Sequence, residues 1–160
     1  MSKIGILILL TLVCFTGPEP AGTYADPFGA EITIRPDGTF KYSWHFDMTG
    51  SWTSGKWELH GDTLKLKKIP VYDTLTIENQ DKRYIKDSLV LSPDQTSNRC
   101  TNIEFLSSTI SSGGQNRKLP DTLYYIRKDK LIAIKNGKLQ TRKVKGFWTG
   151  KKYRPWYVKK

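Results

Sequence analysis

Apolar and polar residues alternate with a period of two through much of this chain. The clearest run spans residues 37–66. Within it Phe40, Tyr42, Trp44, Phe46 and Met48 fall on one face, and Lys41, Ser43, His45 and Asp47 on the other. That alternation predicts a half-buried antiparallel strand, because a helix would scatter the same aromatics around its axis. Pro36-Asp37-Gly38 precedes it as a turn, with proline fixing φ and glycine accepting positive φ. Residues 49–55, rich in Gly, Ser and Thr, read as the next connection. Trp57 and Leu59 then alternate with Lys56, Glu58 and His60. Gly61-Asp62 makes a tight turn, and Leu64 and Leu66 resume the apolar face.

The rest of the domain repeats this grammar more weakly. Residues 29–34 predict a short strand before the meander. Residues 71–77, 84–91 and 100–106 predict strands after it, with a polar loop over 78–83 and a stop at Ser92-Pro93-Asp94. Residues 107–119 contain Gly113-Gly114 and read as a long loop or flap. Residues 123–126 and 131–134 predict a hairpin, and Asn136-Gly137 is a strong hairpin turn leading into 138–145. Sustained helical periodicity is absent past residue 15, leaving room for at most a short helix in the loops. The fold class is all-β: a single antiparallel meander closing into a barrel or a strongly curved sheet.

The N-terminus follows a different rule. Lys3 precedes an uninterrupted apolar run over 4–15, and Pro18 and Pro20 follow. Such a run is shorter than the ~20 residues of a membrane span and fits the apolar region of an export signal. Thr23-Tyr24-Ala25 offers small residues at the −3 and −1 positions of a cleavage site, so residues 1–25 read as a leader and 26–160 as the domain. Lipidation at Cys14 is the alternative. The stretch Thr11-Leu12-Val13-Cys14 resembles a bacterial lipobox in part, with Val13 and Thr11 departing from that pattern. The expected location is the periplasm or envelope, with a lipid anchor if Cys14 is modified. Cys100 is the only other cysteine, so no disulfide framework and no metal-type cysteine spacing exists.

Composition supports a folded core, with five Trp, eight Tyr and six Phe in 160 residues. The net charge of +11 is uneven. Residues 26–126 are nearly neutral, whereas 127–160 hold 13 Lys/Arg against Asp129 as the single acid. An asymmetry of this kind points to a partner surface rather than to the fold.

The meander resembles the opening of small bacterial lipocalin-like envelope proteins. The matching residues are Gly38, Phe40 and Tyr42, then Gly55 and Trp57, then Gly61, Asp62, Leu64 and Leu66, about 30 residues of the chain. The resemblance implies a lipocalin-like barrel or half-barrel and an exported protein. It transfers no catalytic residue.

Three groups of residues carry candidate chemistry. Tyr42, Trp44, Phe46 and Trp57 either line a cavity for an apolar small molecule or pack as core; both uses want the same residues. His45, Asp47, Glu58 and His60 lie on the polar faces of adjacent predicted strands. Two imidazoles and two carboxylates brought together there would suit a divalent metal such as zinc; a solvated face with cross-strand charge pairs is the other reading. In the basic aromatic segment 143–160, Trp148, Tyr153, Trp156 and Tyr157 interleave with Lys145, Lys151, Lys152, Arg154, Lys159 and Lys160. This mixture suits an anionic membrane surface or polysaccharide. It would also suit single-stranded nucleic acid, which export disfavours. Otherwise it forms a last strand whose lysines snorkel. No hydrolase, metalloprotease or phosphate-loop motif occurs, and no cofactor motif. The sequence therefore predicts an exported, non-catalytic binding or envelope-associated module. The alternative is an interaction protein that docks an anionic surface, or a partner protein, through its tail.

Overall fold

Alternation at Ile32 and Ile34, at Phe40 and Tyr42, and at Leu64 and Leu66 places one side of each strand in a common core. The structure, a computed structural model, describes residues 19–79, 81, 83–111, 114–147 and 149–160. Cys14, most of the expected leader, and Trp148 lie outside the described residues. The first five strands form an antiparallel meander: β1 (Gly22–Ala25), β2 (Ala30–Ile34), β3 (Thr39–Phe46), β4 (Thr49–His60) and β5 (Thr63–Lys68). An insert follows, with β6 (Tyr72–Glu78), β7 (Tyr84–Leu91), β8 (Arg99–Thr101) and α1 (Asn102–Ser111). The chain then returns through β9 (Leu123–Arg127), β10 (Lys130–Lys135) and the short β11 (Lys138–Leu139). A ribbon of β12 (Val144–Lys145) and β13 (Lys152–Tyr153) precedes the last strand, β14 (Tyr157–Lys159).

Eight strands close into an antiparallel barrel in the order β10-β14-β1-β2-β3-β4-β5-β9, sealed by pairing of β9 with β10. Closure removes the exposed sheet edges that an open meander would leave. The interior is filled. Tyr24, Ile32, Ile34, Phe40, Tyr42, Leu64, Leu66, Tyr124, Leu131 and Tyr157 are buried in one cluster. The all-β barrel expected from the alternation is thus observed, and an eight-stranded antiparallel barrel agrees with a lipocalin-like fold.

Three expectations need correction. Residues 49–55 are the first half of β4, and the turn before them shrinks to Asp47-Met48, with Asp47 at φ 54°. Gly55 belongs in the strand because a Cβ there would collide with the Lys67 carbonyl oxygen and the Phe40 ring. Residues 100–106 are not one strand: β8 ends at Thr101 and α1 begins at once. A reciprocal cap starts that helix, with Thr101 N donating to Glu104 Oε2 at 2.8 Å and Glu104 N to Thr101 Oγ1 at 3.4 Å. The Thr101 backbone N–H, and then its hydroxyl donating to the same Oε2 at 2.9 Å, hold the Glu104 carboxyl below its ordinary pKa. The insert is not pure meander either, since β8 runs parallel to β6. At the seam of the barrel β14 lies beside β1, with Tyr24 opposite Lys159. A leader removed after Ala25 would therefore take a barrel strand with it.

The insert hangs on the outer face of β4. Trp52 points outward from the barrel, yet it is buried beneath the insert. Its Nε1 donates to the Pro93 carbonyl at 2.9 Å, and its backbone N to Gly114 O at 3.2 Å. The Gln115 amide donates to the Ser92 carbonyl at 2.8 Å and accepts from Val71 N at 3.1 Å.

Candidate functional site

Of the four predicted ligand-binding aromatics, Tyr42 is core. It is fully buried, and its Oη has no hydrogen-bond partner within the described protein. Burial pushes its phenol well above the ordinary tyrosine pKa, with Asp26 and Asp121 adding to the shift. Trp57 lies toward the opposite end of β3, across from Leu66, with Nε1 on the Arg35 carbonyl at 2.8 Å. Trp44 and Phe46 remain. They stack with ring centroids 6.2 Å apart where β3 reaches the mouth of the barrel.

At that mouth the β2–β3 end meets the C-terminal ribbon. Asp26 Oδ1 accepts from Phe28 N and Ala30 N, both at 2.8 Å, and so fixes the turn before β2. Trp44 Nε1 donates to the Phe28 carbonyl at 3.1 Å. Gly29 lies flat on β3, receiving His45 N at 3.0 Å, at a φ of 84° where a Cβ would strike the His45 carbonyl. From the ribbon, Phe147 packs edge-on against Phe46 at 5.4 Å, and Tyr153 edge-on against Phe28 at 6.3 Å. Between them lies a recess of about 340 Å³, with His45, Asp47 and Thr149 as polar members of its wall. Phe28 was not legible as a site residue. Its only signal is its place two residues after Asp26, in a turn.

The proposed metal set is not brought together. The tight turn at Asp47-Met48 sets His45 opposite Gly50 and Thr39 opposite Lys56. Glu58 and His60 therefore run past the start of β3 and pair with β5 instead. Gly50 and Glu58 are eight residues apart along β4, or about 26 Å. Glu58 has His60 Nε2 at 3.6 Å and Lys65 Nζ at 4.0 Å, a solvated cross-strand arrangement. No group of three or more metal-ligating side chains occurs among the described residues.

The tail cations divide into two populations. Lys160 pairs with Glu31, Arg154 lies 4.6 Å over the Trp156 ring, and Trp156 Nε1 donates to Gln140 O at 3.1 Å. Lys159 lies 5.8 Å over the Tyr24 ring. These four residues brace the barrel. Lys145, Lys151 and Lys152 are exposed on the ribbon, beside Phe147, itself 77% exposed. Cys100 is a free thiol, raised above its ordinary pKa by burial and then by Asp73 and Glu104.

No helix among the described residues is long and apolar enough to cross a membrane. No family model matches the chain, and no curated protein or solved structure is significantly similar to it.

Proposed function

We propose that this chain is a non-catalytic binding module that takes an apolar, ring-bearing small molecule at the barrel mouth rather than inside the barrel. The observation that carries this reading is the recess lined by Phe28, Phe46, Phe147 and Tyr153. Aromatic walls supply area-dependent affinity and edge-to-face contacts, and the few polar groups orient the guest. The filled interior argues against a ligand held among the barrel tyrosines. An exported, envelope-associated protein of the lipocalin-like kind is the setting we propose. Its support is the apolar run over 4–15 and the pattern of the meander.

The test is fluorescence titration with the neutral probe N-phenyl-1-naphthylamine. Saturable binding is expected. Phe46→Ala and Phe147→Ala should each weaken it about tenfold, equivalent to roughly 1.4 kcal/mol. Binding that both variants leave intact refutes the site.

One observation favours a second reading. Phe147 projects from the ribbon beside Lys145, Lys151 and Lys152, the mixture that settles on an anionic lipid surface. Co-sedimentation with phosphatidylglycerol vesicles but not phosphatidylcholine vesicles, lost in high salt, is the result that reading requires.

A further inference from the structure

A second recess lies outside the barrel, where the insert leans over the outer face of β3 and β4. It has a volume of about 460 Å³. The alternation that buries Phe40 and Tyr42 turns Lys41, Ser43 and His45 outward in a row spaced about 7 Å apart. Trp52 sits directly across from Ser43 and forms the floor. Met48 and Ile110 are its apolar flanks, 98% and 87% exposed overall.

Arg117 completes the wall from the segment that follows α1. Its position is set by the chain on both sides. Gln115 bridges to Trp52, while Lys118 N donates to Ser51 Oγ at 3.1 Å and Lys118 O accepts from the same hydroxyl at 3.2 Å.

The charge of this recess is unbalanced. Among the described residues, no carboxylate reaches salt-bridge distance of Lys41 or Arg117. Asp94 is the one acid in the wall, and its Oδ2 already accepts from Ser108 Oγ at 2.6 Å. A lysine and an arginine thus share a concave wall with a tryptophan and two exposed aliphatic side chains.

We propose that this recess is a separate binding site for a small organic anion. Its carboxylate would be held by Lys41 and Arg117, and its aliphatic part would lie on Trp52, Met48 and Ile110. A charge-assisted contact to each cation supplies orientation, and Arg117 offers the planar fork that fits a carboxylate. The apolar flanks exclude a bare inorganic anion as the best guest, because it would leave them wet. His45 borders both recesses, but Phe28, Phe147 and Tyr153 of the mouth take no part in this one, and the two cations Lys41 and Arg117 take no part in the mouth.

Octanoate, octan-1-ol and inorganic phosphate test the three parts, by calorimetry and by amide shift mapping on the full chain. Octanoate should bind saturably and shift the Trp52 and Ile110 amides. Lys41→Met and Arg117→Ala should each raise its dissociation constant at least about tenfold, with Lys41→Arg close to the parent. Both positions are outside the core, so these variants are expected to fold, which their circular dichroism checks. Octan-1-ol and phosphate should each bind at least about tenfold more weakly than octanoate. Phe46→Ala should leave octanoate binding unchanged. No octanoate binding, parent-like octanoate affinity in both Lys41→Met and Arg117→Ala, octan-1-ol or phosphate as good as octanoate, or loss only in Phe46→Ala overturns the proposal.

Discussion

Tyr42→Phe is the sharpest probe of the barrel interior. Tyr42 and Thr53 face each other across β3 and β4, and both hydroxyls are buried without a partner in the described protein. A hydroxyl desolvated and unpaired costs about 1–3 kcal/mol. Removing the Tyr42 oxygen relieves that cost and leaves only a small hole. The expected change is neutral to stabilising, between 0 and about 2 kcal/mol. Tyr124→Phe is the control. Its Oη accepts Asp121 N at 2.9 Å, so deletion strands a backbone donor and should destabilise by about 1–2 kcal/mol. Urea unfolding, read by circular dichroism with the slope held constant between variants, resolves the difference. Destabilisation by Tyr42→Phe comparable to that by Tyr124→Phe would refute the reasoning. It would mean that the Tyr42 hydroxyl is engaged, and that the interior holds something other than packed side chains.

Two further predictions concern the same barrel. Burial raises Tyr24, Tyr42, Tyr124 and Tyr157 above the ordinary value of 10.0, so the folded state keeps these phenols protonated where an unfolded chain ionises them. Their contribution to stability is complete below pH 10.0 and is lost as pH rises toward the raised folded values. Their phenolate absorbance should therefore emerge together with loss of the far-ultraviolet strand signal; separate transitions would contradict it. Deleting residues 1–25 removes β1 and takes Tyr24, with its hydroxyl bonded to the Pro20 carbonyl at 2.9 Å, out of the core. Losing that ring alone costs about 3–5 kcal/mol, much of a typical domain's stability. The 26–160 fragment should aggregate or unfold. A monomeric fragment with a cooperative transition would show that β1 is dispensable.

The barrel was legible because its strands are half-buried, and alternation is the direct trace of one wet face and one dry face. Phe40, Tyr42, Leu64 and Leu66 lie in the core as their spacing predicts. Where the pattern failed, other physics decided. Residues 49–55 looked like a loop because their glycines, serines and threonines resemble turn chemistry. Gly55 is there because β5 and the Phe40 ring press against its backbone. The start of α1 carried a readable signal, Thr101 three residues before Glu104, which the apolar run of Ile103, Phe105 and Leu106 obscured.

The candidate sites were only half legible for a similar reason. Trp44 and Phe46 can be read from β3, but their partners Phe28, Phe147 and Tyr153 come from segments that closure alone brings near. The metal reading placed Glu58 beside His45 through an assumed register; a two-residue turn set the true one. Arg117 gave no sequence signal, since its role depends on where the insert returns to β4.

Amide shift mapping of N-phenyl-1-naphthylamine bound to the labelled protein decides whether the guest sits at the mouth or inside the barrel. Shifts are expected to concentrate at Gly29, Phe46, Asp47, Gly146, Phe147 and Tyr153, with the core residues quiet. Shifts centred instead on Ile32, Leu64, Tyr124 and Leu131 would contradict it, for they would place the guest inside a barrel that these side chains fill.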